Sequence, residues 1–191
     1  MKSLKIILAS QSPRRQELIG GLDIPLEISV GYEFDETYPP EMPNSEVALY
    51  LAEKKSQAYP LPLNDNEVLL TADTLVNCEG ELLGKPANKQ QAKEMLKKLS
   101  GKRHEVITGV CLRSLHMQKS FKMSSFVFFA DLPAEDIDYY VEKYQPLDKA
   151  GAYGVQEWIG YIGIDRIEGS YYNIMGLPLS QIWKELKQGN F

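Results

Sequence analysis

A chain of 191 residues with 43% hydrophobic and 25% charged content has the make-up of one folded domain, or of two small lobes on a shared sheet, and not of a disordered protein. Its formal net charge of −5 argues against a general nucleic-acid binder, which carries a basic face, although a few cations in a cleft can still hold a small anion. No apolar run approaches the roughly 20 residues of a membrane span, so no membrane partner is expected.

The opening residues faintly imitate a secretion signal. However, the apolar core Leu4–Ala9 is short and Pro13-Arg14-Arg15 follows soon after, so a buried strand is the better reading. Cys78 and Cys111 form no CxxC pair and read as free thiols of a reducing compartment, consistent with a cytoplasmic protein.

In chain order, Lys5–Ala9 is a continuous apolar run, as in a strand covered on both faces. A helix starts at Pro13, with Ser12 able to cap it and Gly20-Gly21 to stop it. Leu26, Ile28 and Val30 alternate as a second strand, and the acid- and proline-rich residues 31–44 form a loop. Ser45 is expected to cap a helix reaching about Ala58. Glu67–Ala72 reads as a buried strand that ends on Asp73, and Cys78-Glu79-Gly80-Glu81 as a hairpin turn. Asn88 and Gln91 have capping-box spacing and open a helix with Ala92, Met95, Leu96 and Leu99 on its inner face, stopped at Gly101.

Val106–Leu112 and Ser120–Ala130 read as long strands. Pro133–Tyr144 is a helix with Ile137, Tyr140, Val141 and Tyr144 in register. A glycine-rich loop, a strand near Tyr161–Arg166, a short strand to Ile174 and a last helix from Leu179 complete the chain. The order is mixed, and predicts an α/β protein with a mixed, partly antiparallel sheet flanked by helices.

Several chemistries are excluded by residue type. With only His104 and His116, no HExxH and no cysteine cluster, a dedicated zinc site is not expected. There is no GxSxG elbow and no P-loop ending in Gly-Lys-Ser/Thr. What remains is a set of cations and acids near strand ends. Ser10-Gln11-Ser12-Pro13-Arg14-Arg15 joins a strand to a helix start, where unpaired N–H groups and guanidinium forks suit phosphate; equally, Ser12 only caps and the arginines are solvated.

Asp73 can hold Mg²⁺, take a proton from water, or simply form a turn. Lys85 follows the hairpin, Lys54 and Lys55 share a helix, and Glu33, Asp35 and Glu36 could add a second metal carboxylate or be a wet loop. Asp148-Lys149 reads as a surface ion pair of little consequence. Together, anion donors, acids for a hard cation and no covalent nucleophile suit metal-assisted attack of water on phosphorus.

Leu8-Ala9-Ser10-Gln11-Ser12-Pro13-Arg14-Arg15-Gln16-Glu17-Leu18 closely resembles the opening of the Maf family of nucleoside triphosphate pyrophosphatases. The resemblance continues through Ala72-Asp73-Thr74, Leu83-Gly84-Lys85-Pro86, Leu99-Ser100-Gly101 and Ile107-Thr108-Gly109-Val110, and is strongest from Pro146 to Gln156. It ends with Gly169-Ser170-Tyr171-Tyr172-Asn173-Ile174-Met175-Gly176-Leu177-Pro178-Leu179, so it spans nearly the whole chain, 1–191, as a single Maf-like domain.

The resemblance implies an elongated mixed α/β fold with two lobes around a deep cleft, similar to the inosine triphosphate pyrophosphatases, and a homodimer. It implies Asp73 as proton acceptor, and Ser10, Arg14, Arg15, Lys55, Thr74, Lys85 and Gln156 as substrate-binding residues. A divalent cation, Mg²⁺ or Mn²⁺, would sit on Asp73 and Glu33. Arg14, Thr74 and Gln156 match positions that separate the branch acting on dTTP and UTP from the branch acting on 7-methyl-GTP, and here they resemble the first. One departure stands out: the family usually follows the glutamine with glycine, whereas Gln156 precedes Glu157-Trp158, a bulky acid expected to reshape the base pocket or repel phosphate. The family's link with septum formation also implies an alternative, a nucleotide-binding regulator of cell division without essential turnover, but a sensor would not need Asp73.

Overall fold

The computed structural model describes residues 4–32, 34–189 and 191, and among them are seven strands and seven α-helices. The first apolar run forms β1 (Lys5–Leu8), with Ile6, Ile7 and Leu8 buried. It pairs in parallel with β2 (Leu26–Ile28) on one side and β3 (Glu67–Cys78) on the other. That inner position explains why its apolar residues are consecutive and not alternating. A hairpin at Glu79-Gly80 returns β3 into antiparallel β4 (Glu81–Leu83). With β5 (Arg103–Arg113), β6 (Gln118–Phe129) and β7 (Ile164–Glu168), which is antiparallel to β6, the sheet order is β2-β1-β3-β5-β6-β7, with β4 paired to β3 alone. The mixed α/β sheet predicted from the pattern is thus formed.

The packing divides the chain into two compact units: Met1–Asp73 with Thr108–Met123 and Gly176–Phe191, and Thr74–Ile107 with Ser124–Met175. In the first, α1 (Pro13–Gly20) begins as predicted, with Ser12 Oγ accepting from the Arg15 N–H. α2 (Asn44–Ala58) starts two residues earlier than expected, behind Pro43 and not behind a Ser45 cap, with no side-chain cap and with Glu46 in its positive first turn.

α2 lies unusually close to the sheet. A Cβ on Gly109 of β5 would come within 2.3 Å of the Ala48 carbonyl oxygen, so only glycine permits the approach. Thr71 Oγ1 donates to the Ala52 carbonyl at 2.6 Å, and Arg113 donates to the Ser56 carbonyl at 2.8 Å. The last helix, α7 (Leu179–Gln188), belongs to the same unit and buries Ile182.

In the second unit, α3 (Lys89–Leu99) is capped by Asn88 Oδ1, which accepts from the Gln91 N–H at 2.9 Å. Its buried residues are the predicted Ala92, Met95, Leu96 and Leu99. α4 (Ala134–Tyr144) buries Ile137, Tyr140 and Val141. Two expectations are corrected here. The strand drawn from Tyr161 begins only at Ile164, because burial at Ile159 and Gly163 recurs four residues apart and forms α5 (Trp158–Gly163). The strand drawn to Ile174 is α6 (Tyr171–Ile174), started by Ser170 Oγ accepting from the Asn173 N–H at 3.3 Å. Among the described residues, no helix is long and apolar enough to cross a membrane.

His104 is buried in this core, 2.8 Å from Tyr153 Oη and edge-on to Phe129. Burial pushes its pKa down to about 4. Between the ordinary value near 6.5 and about 4, the unfolded chain binds a proton that the folded chain refuses, so this residue's contribution to stability is complete above pH 6.5 and lost as the pH falls. The loss should amount to about 3 kcal/mol. Denaturant titrations at pH 7 and pH 4.5 should show a smaller difference in His104→Gln than in the parent; an equal difference would remove His104 from the acid response.

Candidate functional site

The pairing of β1 with β3 ends at Leu8 and Leu70. Beyond that end lies Ser10, whose Oγ accepts from the Ser12 N–H at 3.2 Å and whose carbonyl accepts from Gln16 Nε2 at 3.1 Å. This fixes the turn that delivers Arg14 and Arg15 into the first turn of α1.

Arg15 ties this turn to the rest of the unit. Arg15 donates from Nε to the Gly176 carbonyl at 2.9 Å and from a terminal nitrogen to the Ala72 carbonyl at 2.9 Å, joining the end of β1, β3 and the segment before α7. Loss of solvent lowers its pKa, Asp73 opposes this, and the charge of Arg14 adds to the lowering; the guanidinium stays cationic. Two of its donors are therefore committed to the backbone, a bracing function beside the phosphate-binding one expected from sequence. Arg14 is half-buried in the same helical turn.

Asp73 does not end its strand. β3 continues to Cys78 because Val76, Asn77 and Cys78 pair with β4, yet Asp73 is still three residues past the last partner on β1 and so stands beyond that strand's carboxyl end. Lys55 reaches it from α2, donating from Nζ to Asp73 Oδ1, and the two side chains are only 12% and 15% exposed. Lys55 Nζ also lies 4.9 Å from the centre of the Phe34 ring. Burial lowers the Lys55 pKa most; Asp73 pulls it up, Arg15 pushes it down, and Glu36 pulls it up weakly. The first unit therefore sets the Asp73 carboxylate against Lys55, with Arg15 close enough to act on both, an arrangement able to take an anion and to accept a proton.

The donor set also fits a hard cation of limited demand. Among the described residues, no three His, Cys, Asp or Glu side chains gather as a metal cluster. Mg²⁺ commonly takes only one or two carboxylates and completes its shell with phosphate oxygens and water, which Asp73 can serve. Glu33, the expected second ligand, lies outside the described residues. Its neighbour Asp35 is held well below the usual carboxylate range by the Lys54 ammonium, 2.8 Å away, and by Thr37.

In the second unit, Thr74 follows Asp73 along β3, half-buried, and leaves the opposite face of the strand. Lys85 is exposed in the loop after β4, and the adjacent Gly84 carbonyl accepts from the Gly151 N–H at 3.1 Å, tying that loop to the glycine-rich one. Gln156 is half-buried, and its Oε1 is enclosed with no hydrogen-bond partner.

Glu157 neither reaches into open space nor stays uncompensated: it accepts from Tyr140 Oη and lies 3.1 Å from Lys149 Nζ. Trp158 packs on Tyr139, with ring centres 4.9 Å apart. Lys149 is buried, so the surface pair expected of Asp148-Lys149 is corrected to an enclosed ammonium with two acids. The partners Tyr140 and Phe34 escaped the sequence reading, since an apolar register position and a lone aromatic carry no mark of a polar site.

The sequence model described as Maf-like protein matches residues 5–189. The chain belongs to the Maf family. A Maf relative from Phocaeicola vulgatus, named dTTP/UTP pyrophosphatase, is 50% identical over 188 residues, covering 98% of this chain and 97% of the relative. One of the same name from Bacteroides thetaiotaomicron is 52% identical over 184 residues, covering 96% and 95%. Among solved structures, a HAM1 protein from Coxiella burnetii aligns with a TM-score of 0.52 at 15% identity, over 97% of this chain and 100% of that one. At that identity the likeness establishes a shared fold.

The bracing by Arg15 makes a prediction for the stability of this Maf protein. Arg15→Lys keeps the charge but loses the planar fork, and should lower unfolding free energy by roughly 1–3 kcal/mol. An unchanged denaturation midpoint would deny Arg15 its bracing role.

Proposed function

We propose that the chain hydrolyses the pyrimidine nucleoside triphosphates dTTP and UTP to the monophosphate and pyrophosphate. The observation that carries this reading is the enclosed Asp73 carboxylate, paired with Lys55 and bordered by Arg15 beyond the end of β1. It stands in a chain half identical, over nearly its whole length, to proteins named dTTP/UTP pyrophosphatase.

Asp73 takes a proton from water as the water oxygen attacks the α-phosphorus, the bond to the bridging oxygen breaks, and pyrophosphate leaves. In the first unit Arg14 and Lys55 bind phosphate oxygens, with Ser10 and Arg15 shaping the turn that presents them; in the second, Lys85 adds a cation and Thr74 a hydroxyl. The enclosure of Lys55 favours this, because charge stabilisation is stronger where water is excluded. Where a divalent cation, Mg²⁺ or Mn²⁺, is held by Asp73 and Glu33, it would supply neutralisation of phosphate charge and polarisation of the water, in place of proton removal by Asp73. The same reading makes the protein a cytoplasmic homodimer that removes unwanted nucleotides from the pool.

Base choice is assigned to Gln156. Its amide offers a donor and an acceptor, matching the N3–H and O4 edge of uracil or thymine, and its unpartnered Oε1 supports that use.

Separate assays of pyrophosphate and orthophosphate with UTP should give the monophosphate and pyrophosphate; diphosphate plus orthophosphate would move the attack to the γ-phosphorus. Asp73→Asn should reduce turnover by about 10²–10⁴-fold while remaining folded by circular dichroism. A folded variant of near-full activity would exclude the role. Gln156→Glu should erode the preference for UTP over GTP in kcat/KM, and an unchanged ratio would assign Gln156 to scaffolding.

A further inference from the structure

The turn carrying Gln156 is braced from one side. Glu157 donates its N–H to the Gly154 carbonyl at 3.0 Å, and its side chain folds back over the same glycine, where a Cβ would come within 2.7 Å of Glu157 Cδ. Tyr140, buried in α4, serves both ends of this turn: its Oη accepts from the Gly154 N–H at 3.0 Å and donates to Glu157 Oε2. Lys149 Nζ lies 3.1 Å from the other oxygen, Oε1, and 2.7 Å from Asp148 Oδ1. Val155, on the other side of Gln156, is buried, so both neighbours of the glutamine are fixed.

Every polar group named in this brace is matched by another, whereas Gln156 Oε1 is enclosed and unmatched. Buried polar atoms are rarely left so, and an amide oxygen held this way lacks an N–H donor that a ligand would bring. Burial and the neighbouring Glu157 raise the Tyr140 pKa far above the working range, so the phenol keeps the proton it donates.

We propose that Glu157 is a positioning residue for base selection: clamped by Tyr140 and Lys149, it holds the 154–157 turn so that Gln156 Oε1 meets an N–H donor of the nucleobase. This rests on the reading of Gln156 given above. It also inverts the expectation that an acid at 157 would repel the substrate, since the carboxylate is consumed by a phenol and an ammonium within its own unit.

The test is the ratio of kcat/KM for UTP to that for GTP in Gln156→Ala, Glu157→Ala, Glu157→Gln, Tyr140→Phe and the double variant Glu157→Ala/Tyr140→Phe. Glu157→Ala and Tyr140→Phe should each lower the ratio on the order of tenfold, chiefly through a higher KM for UTP with kcat largely kept. Glu157→Gln retains an acceptor for Tyr140 and should restore most of the ratio. The double variant should be little worse than the worse single one, as for residues acting through one network. A lowered melting temperature with an unchanged ratio in Glu157→Ala and Tyr140→Phe would reduce Glu157 to a structural residue and overturn the proposal. Should Glu157→Ala fail to fold, Tyr140→Phe and Glu157→Gln decide alone. An unchanged ratio in Gln156→Ala would instead overturn the base reading itself, and the proposal with it. Calorimetric affinities for non-hydrolysable UTP and GTP analogues give the same ratio independently of turnover.

Discussion

The closeness of α2 to the sheet is the constraint on which the first unit's chemistry depends. An enclosed carboxylate at Asp73 would be costly alone, and an enclosed Lys55 equally so; each is tolerable because the other is there, and removing either would strand a charge. For Lys55 to reach Asp73, the backbone of α2 has to sit almost on β5. The missing side chain at Gly109 opens that room, and the bonds from Thr71 and Arg113 to α2 carbonyls set the helix's height and register. A packing decision made at a glycine of β5 thereby determines the electrostatics of a carboxylate on β3.

The second unit uses polar groups in the opposite sense. Around Glu157 the donors and acceptors are matched within the protein, and the result is a stiff turn in which one ammonium, Lys149, serves two acids, Glu157 and Asp148. At Gln156 an acceptor is enclosed and left unmatched. A saturated network beside an unsaturated atom is what a selective contact requires: stiffness keeps the oxygen in place, and the missing donor makes a ligand lacking one unfavourable.

Much of the fold was legible in the sequence because its signals were local. The continuous run at Lys5–Ala9, the Ser12 and Asn88 caps and the inner face of α3 each depend on a few neighbouring residues. Where the reading failed, the deciding partner was distant or the element short. β3 runs on through Asp73 because β4 is there to pair with it, and the single turns of α5 and α6 are too brief for periodicity to separate them from strands. For the site, residue types pointed to Asp73, Lys55 and the arginines, but the bonds that brace Arg15 join residues far apart in the chain, and neither they nor the burial of Lys149 leave a trace in spacing.

The bond from Arg15 to the Gly176 carbonyl spans 161 positions. It belongs to a unit assembled from three separate stretches, the last of which begins at Gly176, whereas the other unit is finished by Met175. During vectorial synthesis the stretch bearing Asp73 and Lys55 leaves the ribosome early yet lacks its final stretch until nearly all of the chain has followed. A nascent or prematurely terminated chain would thus carry a completed second unit and an unbraced Arg15, which makes competence for hydrolysis a late event in the life of the polypeptide.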